Sequence, residues 1–174
     1  MNKKWKTTKS GLNYQVMKKG KGPKPKTGQT IFMHYELWAS DGVTSSNYDY
    51  DAAKYVDNIY DSTYDERSPY SGPVEIKVGT LTPKDEVYTK GQSIEGINEA
   101  LLSMKVGEKR ALQIPSDLAY GSEGASSFHT FHGYRTPPNQ PIRCNIELVS
   151  IIEEKVEKSE DSNKTPSENV AYEG

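Results

Sequence analysis

Residues 111–121, Ala-Leu-Gln-Ile-Pro-Ser-Asp-Leu-Ala-Tyr-Gly, decide how the rest of the chain is read. Leu112 and Ile114 fall on one face of a strand that must stop at Pro115, because proline has no N–H to continue a ladder. A short turn follows and presents Tyr120 just before the permissive Gly121. Arg110 to Ile114 therefore supplies one strand, and the alternating stretch Ile142 to Ile152 supplies another.

Working outward, Leu12, Tyr14 and Val16 alternate with polar residues, as a half-buried strand requires. Gly20 to Gly28 is too rich in glycine and proline for a helix and reads as a loop. Gln29 to Trp38 is a longer strand, rich in β-branched and aromatic residues, that ends at the Asp41-Gly42 turn signal. Residues 43–59 are polar and tyrosine-rich and break the alternation, so they read as an insertion with a short helix near Ala52. Pro73 to Gly79 is a strand with Val74, Ile76 and Val78 on one face. Residues 80–91 form a second long connection. Ile94, Ile97, Leu101 and Met104 then step by three, four and three, the stripe of an amphipathic helix, and Gly107 is placed to cap its end. One helix among about five strands predicts an α+β domain, the helix lying across one face of an antiparallel sheet.

A chain of 174 residues favours one domain with appendages. The hydrophobic fraction is only 33% and the mean hydropathy −0.81, so polar tails and insertions dilute a smaller core. Residues 1–10 read as a basic lead-in, 11–152 as the folded domain, 121–138 as a long loop, and 153–174 as a disordered acidic tail. Residues 1–26 carry nine lysines and no acid, whereas 153–174 carry seven acids against three lysines. Lysines without arginine or interleaved aromatics make a poor base-reading surface, so nucleic acid is not expected as a partner. Cys144 is the single cysteine, which excludes an internal disulfide and a thiolate metal cluster. His129 and His132 have no adjacent acid or thiol, and Asn47, Asp49 and Asp51 lack the glycine and terminal glutamate of a calcium loop, so no metal is expected. No apolar run is long enough to span a bilayer.

Read with Met33-His34-Tyr35, Tyr60-Asp61-Ser62, Gln92-Ser93-Ile94-Glu95-Gly96 and Thr136-Pro137-Pro138-Asn139, the opening stretch resembles the FKBP family of peptidyl-prolyl isomerases over roughly residues 11–152. The resemblance implies a curved antiparallel sheet wrapped around one short helix, with a ligand pocket between them. It implies prolyl isomerisation of proline-containing polypeptides, a folding-helper role, no cofactor, and a monomer. Matched position by position, the pocket would contain Tyr35, Tyr60, Val74, Ile76, Ser93, Ile94, Ile97, Tyr120 and Cys144. Asp61 would lie close to the bound carbonyl carbon, Tyr120 would donate its hydroxyl to a ligand carbonyl, and the Ile94 N–H would hold another.

Such a reaction needs no nucleophile. The barrier is rotation about a partly double C–N bond, about 18–20 kcal/mol. The planar amide is the more polar form, so a dry apolar pocket favours the twisted one. The chain departs from the family where phenylalanines usually stand, at Val74 and Ile76, at the usual tryptophan, Ile97, at a last-strand aromatic, Cys144, and at Ser93, usually valine. Losing that aromatic area widens the pocket and weakens the expectation of tight macrolide binding. Phe128 and Phe131 in the long loop are candidates to replace the missing rings or to grip substrate. The alternative function is a catalytically weak binding or chaperone module on the same fold. The lead-in Thr7 to Tyr14 resembles bacterial envelope members, which predicts the envelope or periplasm if a leader has been removed and the cytoplasm if Met1 is native.

Overall fold

The strand Thr30–Trp38 organises the molecule through complete alternation: Ile31, Met33, Tyr35 and Leu37 are buried and the residues between them are not. In this computed structural model the described residues are 4–38, 59–64, 66, 71–81, 91–126 and 136–152, with strand pairing alone described for 59–61. The elements are β1 (Lys6–Thr7), β2 (Asn13–Lys18), β3 (Thr30–Trp38), β4 (Ile59–Ser62), β5 (Val74–Leu81), β6 (Gly91–Ser93), α1 (Glu95–Ser103), β7 (Lys109–Ile114) and β8 (Ile142–Ile151). They form one eight-stranded sheet in the order β1-β2-β7-β8-β3-β5-β6, with β4 added to the β3 edge.

The α+β class and the single helix of the described residues agree with the sequence reading. Two details differ. The sheet has eight strands rather than about five, because β1, β4 and β6 are only two, four and three residues long. Runs that short carry too little periodicity to register as strands. The sheet is also mixed: β5 and β6 pair in parallel, while every other pair is antiparallel. The basic lead-in joins the sheet through β1, where Lys6 faces Tyr14 and Thr7 faces Asn13.

β3 is shared by three partners. Residues 31–38 pair with β8 on one side. On the other side, residues 30–33 pair with β5 and residues 36–38 with β4. Alternation then sorts the faces. Ile31, Met33, Tyr35 and Leu37 of β3 join Ile142, Cys144, Ile146 and Leu148 of β8 in one buried cluster. Ile97, Ala100 and Leu101 of α1 complete it, so the helix lies on this core face.

α1 ends differently from the expectation for Gly107. Its C-cap is Met104, in extended conformation, whose N–H bonds the Ala100 and Leu101 carbonyls. Gly107 does have φ +84, but it belongs to the turn Lys105–Glu108 that enters β7. The helix end is satisfied instead by Arg110. Its guanidinium donates to the Ser103 carbonyl (3.1 Å) and hydroxyl (2.6 Å) and to the Glu108 carboxylate (2.5 Å). It also lies 4.5 Å from the Tyr14 ring centroid. A cation on the last carbonyls opposes the negative end of the helix dipole.

Gly96 sets how closely α1 approaches β7. A Cβ added there would lie well inside contact distance of Ile114 Cγ2 and 3.3 Å from the Leu118 carbonyl. Ile114 is fully buried and β-branched, so it cannot swing aside. Gly96→Ala is therefore expected to lower stability by about 1–2 kcal/mol despite alanine's better helix propensity. Chemical denaturation would read the loss as a lower midpoint at constant m.

Candidate functional site

Tyr120 reaches its position through a chain of local constraints. Pro115 stops β7, and a 3₁₀ turn, Ser116–Leu118, follows. The Leu118, Ala119 and Gly121 N–H groups bond the Pro115, Ser116 and Ser116 carbonyls respectively. On the far side the Asn139 N–H bonds the Gly121 carbonyl at 2.9 Å, and Asn139 takes the left-handed φ of 56°. Ala125 and Thr136 pair in both directions at 2.8 Å, closing the base of the long loop. Tyr120 is thus fixed from both ends and is 5% exposed.

Six of the sequence-derived candidates meet in one place. Tyr35, Ile76, Ile94, Ile97, Tyr120 and Cys144 belong to the same buried cluster, and Val74 packs against it. Ser93 is buried beside them, but its hydroxyl is engaged: Asn98 Nδ2 donates to it at 2.9 Å. Asp61 stands opposite Leu37 in the β3–β4 register, and Leu37 stands opposite Cys144, which faces Leu112. One row across four strands therefore carries Asp61, Leu37, Cys144 and Leu112. Tyr60 lies next to Asp61 in β4. The side chains of Tyr60 and Asp61 lie outside the described residues. So do Phe128 and Phe131, His129 and His132, the Asn47–Asp51 stretch and the helix expected near Ala52. Most of both insertions and all of the acidic tail do too.

The chemistry of this surface is aliphatic and phenolic. The Cys144 thiol is wholly buried, and burial pushes its pKa up to about 12. It is neutral at pH 7 and unsuited to nucleophilic attack. Among the described residues no group of three or more His, Cys, Asp or Glu side chains is placed to hold a metal. No described helix is long and apolar enough to cross a membrane.

Sequence reasoning missed Asn98, which ties the helix start to two strands. Its Oδ1 accepts the Gly79 N–H of β5 at 2.7 Å, and its Nδ2 reaches the Ser93 hydroxyl and the Ile94 carbonyl. Asn98 follows Ile94 by four residues on the helix stripe, and a polar residue on an apolar stripe was the available signal. The serine at 93 now has a physical reason, since its hydroxyl is the nearest acceptor of Asn98 Nδ2, at 2.9 Å against 3.3 and 3.5 Å for the Ile94 and Ser93 carbonyls. Asn98→Leu strands the Gly79 N–H and is expected to cost about 1–3 kcal/mol, read from thermal unfolding.

On the opposite face of β3 a polar cluster covers the sheet. Lys109 pairs with Glu36 at 3.0 Å and Lys18 with Glu147 at 3.0 Å. The Tyr64 hydroxyl donates to Glu147 at 2.5 Å, and its ring stacks on His34 with centroids 4.2 Å apart. Burial alone would raise the Glu147 carboxyl. The Tyr64 hydrogen bond, the Lys18 bond and charge, and the Lys109 charge outweigh it and hold the group below 4.5. Burial, the Glu147 hydrogen bond and the charges of Glu147 and Glu36 raise the Tyr64 phenol well above 10. Burial lowers His34 below 6.5, with Lys109 acting the same way and Glu147 against it. Because the folded Glu147 value is depressed, its contribution is complete above the unfolded pKa and is lost as pH falls through the folded one. Glu147→Gln is expected to flatten the acid side of the stability profile below about pH 4.5, measured by denaturation at stepped pH.

Fold and site together define a class: a mixed sheet closed by one helix over an aliphatic and tyrosine-lined cluster, with its thiol buried and neutral and no metal-ligating group among the described residues. The model of the family described as FKBP-type peptidyl-prolyl cis-trans isomerase matches residues 22–149. The chain belongs to that family. It is 33% identical over 141 residues to FK506-binding protein 1B of Neurospora crassa, covering 81% of this chain and 98% of that protein. It is 31% identical over 146 residues to the FKBP-type isomerase FkpA of Aeromonas hydrophila, covering 84% of this chain and 40% of that one. Among solved structures it is similar to FkpA from Escherichia coli, with a TM-score of 0.56 and 26% identity over 84% of this chain and 51% of that one.

Proposed function

We propose that this protein accelerates cis–trans rotation of X–Pro bonds in polypeptide substrates, and that the cluster around Tyr35, Ile97 and Tyr120 forms the wall of its binding basin. The observation carrying the reading is the convergence of six residues matched to the family's pocket, from β3, β5, β8, the β7–β8 connection and the start of α1, on one buried apolar surface. Placing a prolyl amide there removes water from an oxygen that is most negative in the planar form, so the twisted form gains relative to it. About 1.4 kcal/mol of such a difference is already a tenfold rate. Tyr120 is assigned to the carbonyl-binding hydroxyl and Asp61 to the acid beside the rotating bond, with Tyr60, Val74, Ser93, Ile94, Phe128 and Phe131 completing the basin. No cofactor enters the mechanism.

A protease-coupled assay on a proline tetrapeptide tests this. Wild type should shorten the uncatalysed relaxation, which takes roughly tens to hundreds of seconds. A wild-type rate equal to background would favour the second reading, a binding or chaperone module. One observation supports that alternative: the basin wall is aliphatic at Val74, Ile76, Ile97 and Cys144 where aromatic stacking would grip a proline ring. A chaperone acting through the tyrosine-rich insertion predicts aggregation suppression that survives Asp61→Ala and disappears when residues 43–58 are deleted. A monomeric state and a location in the bacterial envelope are proposed on the family likeness of the domain and of the lead-in Thr7 to Tyr14. Light scattering and fractionation of cells expressing the native gene test them.

A further inference from the structure

We infer that Thr63 is a positioning residue for the isomerase site, a role that rests on the activity proposed above. β3 loses its β5 partner after Met33 and gains its β4 partner only at Glu36. Tyr35, whose ring lies in the basin wall, falls in the gap between them. Thr63 fills that gap. Its N–H donates to the Tyr35 carbonyl at 3.0 Å, and its hydroxyl accepts the Tyr35 N–H at 3.0 Å. The same hydroxyl lies 3.2 Å from the Tyr35 carbonyl and 2.8 Å from His34 Nδ1. The Thr63 carbonyl accepts the Gly72 N–H at 2.8 Å, which ties in the start of β5 as well.

A side-chain oxygen thus replaces the backbone carbonyl that a longer β4 would have offered to Tyr35. The geometry has two consequences. It ends β4 at Ser62, so that Asp61 keeps its register opposite Leu37. It also satisfies both main-chain groups of Tyr35 while Thr63 itself is only 2% exposed. An unsatisfied N–H here would invite water or a slip of β4 by one residue, and a one-residue slip turns every β4 side chain to the other face. Thr63 therefore fixes where the Tyr35 and Asp61 backbones stand relative to each other without contacting substrate.

Thr63→Val keeps the shape and removes the hydroxyl, while Thr63→Ser keeps the hydroxyl and removes the methyl. The expected result for Thr63→Val is a kcat lower by about tenfold with KM within about twofold. Its Tyr35 amide should exchange about tenfold faster with the α1 amides unchanged. Thr63→Ser should recover kcat to within about twofold of wild type. A Thr63→Val enzyme with wild-type kcat overturns the inference, and so does a Thr63→Ser variant as impaired as Thr63→Val, which would make the methyl packing decisive. If Thr63→Val does not fold, Thr63→Ala removes the same hydroxyl and is read by the same criteria. If wild type itself shows no isomerase activity, the activity reading fails separately. The Tyr35 exchange rate then decides the clamp alone, and an unchanged rate in the variant refutes it.

Discussion

Arg110→Met is expected to destabilise the fold by about 3–5 kcal/mol, the largest single loss foreseen for a residue outside the basin. Arg110 and Glu108 are 5% and 7% exposed, so the partner left behind is a carboxylate with little water to turn to. The guanidinium also holds the Ser103 carbonyl and hydroxyl, and Ser103 in turn donates to Ala100. Removing it frees the last turn of α1 along with the acid. Lys105 depends on the same carboxylate, since its N–H donates to Glu108 Oε2 at 3.1 Å. Because the penalty comes from an unpaired charge, the double change Glu108→Gln with Arg110→Met should be milder than the sum of the two single changes. Urea unfolding of the three variants measures both statements. A single-variant loss below about 1 kcal/mol would place the pair among weak surface bridges.

Tyr120→Phe is expected to lower kcat/KM about tenfold while changing stability by about 1 kcal/mol, the scale of one hydrogen bond. The size of the activity loss matters as much as its sign. If the basin works by favouring a less polar amide, no side chain exchanges a proton or forms a bond with substrate. Tyr120→Phe combined with Asp61→Ala should then retain a measurable rate above background, because the apolar enclosure remains. Enzymes that rely on a nucleophile and base lose about 10⁴-fold or more when one member is removed. A loss of that size here would contradict the mechanism. The protease-coupled assay, run beside thermal unfolding of each variant, separates the two outcomes.

The legible parts of this fold were those with enough length to show a period. β3 announced itself through nine residues of alternation, β8 through Ile142, Cys144, Ile146 and Leu148, and the α1 stripe through Ile94, Ile97 and Leu101. β1, β4 and β6 have four residues at most, and β6 pairs in parallel with a strand reached through a long connection. Neither feature leaves a local pattern. The misassigned Gly107 shows a different limit. Its positive φ was legible, but a left-handed glycine serves turns and helix caps alike, and the cap came from Arg110, a residue from the next strand.

The candidate site was legible through the family resemblance. Tyr35, Ile76, Ile94, Ile97, Tyr120 and Cys144 were placed together by matching positions to it, and all six fall in one buried cluster. The polar supports were harder to see. Glu108 and Arg110 are buried like Leu112 and Ile114, and their opposite charges two residues apart were a signal that the sequence reading did not use. Thr63 gave no such sign, because its role depends on where two other strands stop pairing with β3.

Exchange NMR on a proline peptide tests the central claim most directly, with the protein at catalytic concentration and the experiment repeated in heavy water. The account predicts that cis–trans exchange rises in proportion to protein and that the rate in the two solvents agrees to within about 20%, since only a C–N bond rotates. An exchange rate that stays at its uncatalysed value, or one that halves in heavy water and so requires a proton in flight, would contradict it.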